Sequence, residues 1–320
     1  MKVVALAGGV GGAKLADGLA QVLPSENLTI IVNTGDDFDH IGLRICPDLD
    51  TVCYTLAGLA NPVTGWGRSG ETWSVLESMA ELGGPTWFRL GDRDLGTHLE
   101  RTRLLRSGYQ LSGITKCFCK AWGINVRILP MSDDIISTRV NTDEGDLPFQ
   151  EYFVHRQCQP RVKGFRFEGI ERAKPTPGIL EAIQESDLRI ICPSNPWVSI
   201  DPILKVPGIK SALTSPSGVK KPILAISPII RGEAIKGPAA KMYSELGIPP
   251  SAVSVARHYG SRQRGELLSG LVIDILDQDL QNSISDLDIS SKVTNTMMKT
   301  PKDRLRLATE VLEFGRSLIY

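Results

Sequence analysis

The chain has 320 residues, 42% of them hydrophobic and 22% charged, which is enough to bury one large α/β core or two small ones. Its 36 basic and 36 acidic residues cancel, which argues against a nucleic-acid surface or a polybasic membrane patch. No apolar run approaches the roughly 20 residues that span a bilayer, and the first residues lack a signal-peptide pattern.

The chain opens on a short apolar run, Val3 to Ala7, which empties into Gly8, Gly9, Gly11 and Gly12. A helical spacing follows over Ala13–Val22 (Leu15, Leu19, Val22). Strand, glycine turn and helix N-terminus together form a phosphate cradle, with backbone N–H groups bare and the helix dipole favouring an anion. The loop Gly9-Val10-Gly11-Gly12-Ala13-Lys14 matches neither common motif. No Ser or Thr follows Lys14, as a P-loop requires, and the third glycine of the dinucleotide fingerprint is missing. A turn that merely closes the strand–helix junction is the plainer alternative, but four glycines beside a lysine exceed what such a turn needs.

A second strand, Leu28–Val32, ends in Asn33-Thr34-Gly35-Asp36-Asp37 rather than at a lone ribose-binding acid. Helices are predicted at Asp50–Leu59, Thr72–Leu82, Leu95–Ser107 and Leu111–Trp122, and strands at Thr86–Leu90 and Val126–Leu129. Residues 135 to 168 then alternate as IISTRV, FQEYFVH and VKGFRFEG, with a turn at Asn141–Asp146, which reads as an inserted antiparallel segment of about 135–170. The α/β order resumes with a helix at Gly178–Glu185, strands at Leu188–Cys192 and Ile223–Ile226, and helices near Pro238–Leu246 and Ser251–Arg257. A strand at Leu271–Ile275 and a helix at Lys302–Leu318 end the chain. The fold class is therefore α/β: one Rossmann-like three-layer α/β/α domain, 1–320, with a mostly parallel sheet and an inserted β segment.

Carboxylates gather at predicted strand ends: Asp36-Asp37, the run Pro47-Asp48-Leu49-Asp50, and Gly91-Asp92-Arg93-Asp94. In an open parallel sheet, ligands sit beyond the carboxyl ends of the strands. Asp37 and Asp50 suit a hard cation, and magnesium keeps company with phosphates. Asp50 can equally be a helix N-cap, Asp48 reads as a cap, and Asp92 with Asp94 can be an ion pair and a cap. His40 lies in the same acidic loop, within reach of a ligand; His98, His155 and His258 read as core or surface residues. Pro193-Ser194-Asn195-Pro196 and Ser227-Pro228-Ile229-Ile230-Arg231-Gly232 each follow a strand and offer small polar groups at the same edge. No HExxH, CxxC or GxSxG occurs, so covalent catalysis has no support. The six cysteines are scattered, and Cys117-Phe118-Cys119 alone is a poor zinc signal; a reducing cytoplasm follows.

The stretches LAGGVGGAKL, NTGDD, ICPDLDTVCYTLAG, GWGRSGETW, WFRLGDRDLGTHLERTRLLRSGY, ILPMSDD, FQEYFV, KPTPGILEAI, PSNPWVSIDPIL, SPIIRGEAIKGPAAKM and RHYG, in this order over nearly the whole chain, resemble the 2-phospho-L-lactate transferase family of coenzyme F-420 biosynthesis, on its bacterial branch. The resemblance implies transfer of a phosphorylated three-carbon acid, phospholactyl or phosphoenolpyruvyl, from a GDP-linked donor to the terminal hydroxyl of the deazaflavin Fo. GMP would be released and F-420-0 or dehydro-F-420-0 formed, by a homodimer. It further implies that Gly9, Val10, Gly11, Gly12 and Lys14, with Ser194, Asn195, Ser227 and Arg231, contact the nucleotide. Asp37 and Asp50 would hold Mg2+ and carry the catalysis, and Asp50, Arg89, His40 and Asp94 would meet Fo. Arg89 stands where archaeal members tend to have lysine, and the basic run Ser261-Arg262-Gln263-Arg264-Gly265 is longer than theirs. A YvcK-type nucleotide-sugar-binding regulator shares the fold and a similar loop, but is not expected to keep PDLD and GDRD together. An NAD oxidoreductase is disfavoured by the absent third glycine and ribose acid.

Overall fold

A computed structural model describes residues 1–215 and 221–319. The strand β1 (Val3–Ala7) is buried along its whole length and pairs in parallel with β2 (Leu28–Val32) on one side and with Leu188–Ile191 on the other. Continuous apolar runs of this kind belong to strands covered on both faces. From edge to edge the sheet runs Ser290–Thr294, Gly270–Asp274, Ile223–Ile226, Leu188–Ile191, β1, β2, Arg127–Pro130, and every pairing is parallel. The chain thus winds outward one way from β1 and later the other way. The switch point falls between β1 and Leu188–Ile191, where an open sheet leaves a crevice at the carboxyl ends of its strands.

Helices fill both faces. On one face lie α1 (Gly9–Val22), α2 (Pro47–Leu56) and the C-terminal helix Pro301–Ile319, which bury Leu15, Leu19, Val52, Leu307 and Val311 against Val3, Ala5 and Ile30. Gly18 permits the closest approach: a methyl there would strike the Arg304 backbone. The other face is covered by helices of residues 179–214 and 239–259 and by the inserted segment, around Val4, Leu6, Ile31 and Ile191. Between α2 and the strand Arg127–Pro130 come α3 (Ser74–Glu81), α4 (Asp92–Arg106) and α5 (Leu111–Ala121). The insert is an antiparallel sheet in the order Gly145–Pro148, Ser137–Thr142, Val162–Glu168.

Two predicted strands are not strands. Thr86–Leu90 carries no ladder; its Trp87 and Phe88 rings pack on Phe38, and Trp87 stacks on His155. The middle run of the insert, FQEYFVH, is instead a π-helical turn over Glu151–His155. Phe149, Tyr152 and Phe153 recur at i, i+3 and i+4, a helical spacing, and the Phe149 and Phe153 rings stack 5.4 Å apart. The hairpin Phe38–His40/Leu43–Ile45 and the edge strand Ser290–Thr294 carry too few apolar residues to announce themselves. No helix among the described residues is long and apolar enough to cross a membrane.

Candidate active site at the switch point

The glycine loop is not bare at its first two amides. The Gly8 N–H donates to Ser194 Oγ (3.2 Å), whose hydroxyl donates back to the Gly8 carbonyl (2.8 Å). The Gly9 N–H donates to Asp48 Oδ1 (2.8 Å), and Asp48 Oδ2 accepts from Asn33 Nδ2 (2.9 Å). An internal carboxylate therefore occupies the very end of α1, while the Val10, Gly11 and Gly12 amides make no bond outside the helix among the described residues. Asp48 caps α1 rather than its own helix, whose N-cap is Cys46. The glycines are sterically required: a methyl on Gly11 would meet the Pro193 carbonyl, one on Gly12 would meet Ser194 Oγ, and Gly9 has φ +61.

Pro47 at the first turn starts α2 early enough to bring Asp48 and Asp50 inside it, so Asp50 is not a cap. Asp50 Oδ1 accepts from Arg101 Nη2, and Asp50 Oδ2 lies 3.7 Å from His98 Nδ1. Arg101 Nη1 meets His98 Nδ1 at 3.1 Å, and His98 Nε2 lies 3.3 Å from Asp94 Oδ1, which also accepts from the Tyr54 hydroxyl at 2.7 Å. Burial raises Asp50, against the opposing charges of Arg101 and His98. Burial pulls Asp94 the same way, but the His98 and Tyr54 bonds win and hold it below its usual value. Asp37 Oδ2 lies 4.0 Å from Arg44 Nη2, and burial lifts Asp37 to about 7 against Arg44, Cys46 and Arg101. Asp36 is also pushed well up, by burial and then by Asp48, which itself sits at about 6 because it is buried.

A cavity of about 810 Å³ joins the loop to these carboxylates. Gly9, Val10, Gly11, Lys14, Asp50, Arg89, Asp94, Ser194, Asn195 and Ser227 line it, as do Asp36 and Asp48, to which no ligand role had been given. Gly12, Asp37, His40 and Arg231 do not. Asp37 is buried; His40 packs against Phe38 and Trp87; Arg231 is exposed and gives its backbone N–H to Asp277. The Asn195 and Ser227 side chains are spent locally, on the Trp197 and Ile229 backbones. The basic run at 261–265 also lies off the cavity; Arg262 bonds the Leu213 carbonyl and Arg264 bonds Asp288. Sequence reasoning did not single out Arg101 and His98 as site residues, because a buried Arg–Asp contact bridging residues 50 and 101 leaves no local pattern. Trp66, Trp87, Phe149, Phe153, Lys236 and Lys299 also line the cavity.

Among the described residues no cluster of three or more metal-ligating side chains occurs. Three carboxylates nevertheless keep bare oxygens. Oδ1 of Asp36, both Oδ atoms of Asp37 and Oδ2 of Asp50 are buried with no hydrogen-bond partner among the described residues. Buried carboxylate oxygens in that state are costly unless an ion or solvent meets them, and their chemistry suits a hard cation; of the three, Asp36 and Asp50 line the cavity and Asp37 does not.

Residues 3–297 match the family model described as 2-phospho-L-lactate transferase CofD. A phosphoenolpyruvate transferase of Streptomyces griseus subsp. griseus is 42% identical over 99% of both chains, and one of Thermobifida fusca is 44% identical over 87% of this chain and 88% of its own. A solved UPF0052-family protein of Bacillus halodurans superimposes with a TM-score of 0.59 at 15% identity, covering 97% of this chain and 98% of its own, a likeness of fold alone.

Proposed function

Because the chain belongs to the 2-phospho-L-lactate transferase (CofD) family and is a transferase, we propose that it carries a phosphorylated three-carbon acid from a GDP-linked donor to the terminal hydroxyl of the deazaflavin Fo, a step of coenzyme F-420 biosynthesis. The names of its relatives favour the phosphoenolpyruvyl group, with dehydro-F-420-0 and GMP as products. A homodimer working in the cytoplasm belongs to the same reading, on family grounds alone.

The observation that carries the reading is one continuous cavity with a glycine-loop helix N-terminus at one part of its wall and Asp50 at another. The Val10 and Gly11 amides and Lys14 take the donor diphosphate, where the helix dipole and the lysine favour anions. The acceptor ring lies among Trp66, Trp87, Phe149 and Phe153, which line the same space. The acceptor oxygen bonds to the outer phosphorus, the bond from that phosphorus to the GMP oxygen breaks, and the hydroxyl proton leaves towards the Asp50 carboxylate, which Arg101 holds in place. Asp37 with Asp50 would hold a magnesium ion, which neutralises diphosphate charge when bound. Phosphoryl chemistry of this kind asks chiefly for positioning and charge stabilisation.

The test is product mass. Purified protein incubated with Fo, Mg2+ and GDP carrying phosphoenolpyruvate's acid or lactate on its outer phosphate is expected to yield the corresponding phosphodiester and GMP. No adduct of Fo with either donor would refute the reading.

A further inference from the structure

The cavity wall carries opposite charges from different parts of the fold. Asp36, Asp48, Asp50 and Asp94 are on the wall. Lys14, Lys236 and Lys299 line the space beside the glycine loop, delivered by three separate elements. None of these lysines is ion-paired among the described residues: Lys14 Nζ donates to the Met298 carbonyl (2.8 Å) and Lys236 Nζ to the Thr64 carbonyl (2.5 Å). Lys14 is depressed by burial first and then by the charges of Arg304 and Lys236, so the two lysines sense each other. Arg89, the other cation on the wall, lies with its guanidinium 4.5 Å over the Trp73 ring.

Lys236 is placed rather than merely present. A Cβ built on Gly65 would stand 3.1 Å from Lys236 Nζ and 2.8 Å from Val10 Cγ1, and Gly65 has φ +77. Glycine at 65 thus lets the ammonium settle near the side chain of Val10, next to the loop whose amides face the diphosphate. The donor read above carries two diphosphate charges and a carboxylate. Lys14, on the same helix as the free amides, serves the diphosphate. The donor's carboxylate is drawn to the remaining lysines on the wall, of which Lys236 is the one held beside Val10.

We propose that Lys236 pairs with the carboxylate of the donor's three-carbon acid and so selects carboxylated donors; this rests on the GDP-linked donor of the proposed function. The experiment is a calorimetric titration of wild type, Lys236→Met and Lys236→Arg with three probes: GDP, GDP bearing lactate on its outer phosphate, and GDP bearing an ethyl group there. Wild type is expected to prefer the lactate ester to the ethyl ester about tenfold. Lys236→Met is expected to erase that preference while GDP binds within about threefold of wild type, and Lys236→Arg to keep most of it. A preference unchanged in Lys236→Met overturns the assignment. An equal loss for all three probes also overturns it, since Lys236 would then serve the diphosphate. If wild type binds none of the three, the donor reading itself fails and this assignment with it. If wild type binds all three equally, only the assignment fails.

Discussion

Arg101 is buried against Asp50: its Nη2 donates to Asp50 Oδ1 and its Nη1 reaches His98 Nδ1 at 3.1 Å. Removing the acid strands a guanidinium that is 1% exposed. Asp50→Ala is therefore expected to abolish transfer and also to destabilise the protein by about 3–5 kcal/mol, the usual cost of breaking one side of a buried ion pair. Asp50→Asn keeps an acceptor for Arg101 and is expected to lose turnover with a smaller stability loss. Urea unfolding beside initial rates separates the two effects. Near wild-type turnover in Asp50→Asn would remove Asp50 from the chemistry.

The glycines divide into those that space requires and those that it does not. A methyl on Gly11 meets the Pro193 carbonyl, a backbone atom that cannot swing away. Gly11→Ala is expected to cost about 1–3 kcal/mol and to weaken GDP binding. Gly96, exposed within α4 with nothing near its would-be Cβ, makes the contrast. Gly96→Ala is expected to stabilise by about 0.5–1 kcal/mol and leave GDP binding unchanged. Thermal melts with and without GDP read both.

How much of this was readable beforehand follows from where each interaction runs. The parallel sheet declared itself through uninterrupted runs such as Val3–Ala7 and Leu188–Ile191, because a strand covered on both faces has no polar alternation to hide it. The glycine loop and the acids after β2 were visible as strand-end clusters; Asp92 and Asp94, read the same way, instead stand in the first turn of α4 with no strand before them. What stayed hidden was long-range: Asp48 seated on the Gly9 amide, Arg101 behind Asp50, and Lys236 beside Val10 join residues 39, 51 and 226 positions apart. The Thr86–Leu90 segment misled because Trp87 and Phe88 are apolar for the sake of a cavity rim, and periodicity cannot distinguish rim from sheet.

Acid should stabilise the metal-free protein over part of the neutral range. Asp37 at about 7 and Asp48 at about 6 bind protons in the folded state at pH values where the unfolded carboxyls, near 4, do not. Their contribution is fully present below about pH 4 and is lost as pH rises through 6 and 7. Asp94, held low by His98 and Tyr54, acts in the opposite sense, but only below about pH 4. In EDTA the melting temperature is therefore expected to be higher at pH 5.5 than at pH 8. A cation bound to Asp37 and Asp50 reverses the balance, so Mg2+ should raise the melting temperature more at pH 8 than at pH 5.5. A Mg2+ response that is absent at both pH values would remove the cation from these carboxylates, and turnover unaffected by EDTA would remove it from the reaction.

Trp87 offers a separate handle on the acceptor. Its ring stacks on His155 at 5.0 Å, packs edge-on to Phe88 at 5.6 Å, and faces the cavity that Asp50 also lines. A planar tricyclic acceptor gains contact area and ring stacking there. Trp87→Ala is expected to raise the KM for Fo about tenfold, with kcat changed less and GDP affinity unchanged. Because Trp87 is only half-buried, the substitution leaves the core intact, and a melting curve checks that. The intrinsic fluorescence of wild type should be quenched on adding Fo, and a large part of that quench should vanish in Trp87→Ala. An unaltered KM with an unaltered quench would place the acceptor ring elsewhere in the cavity.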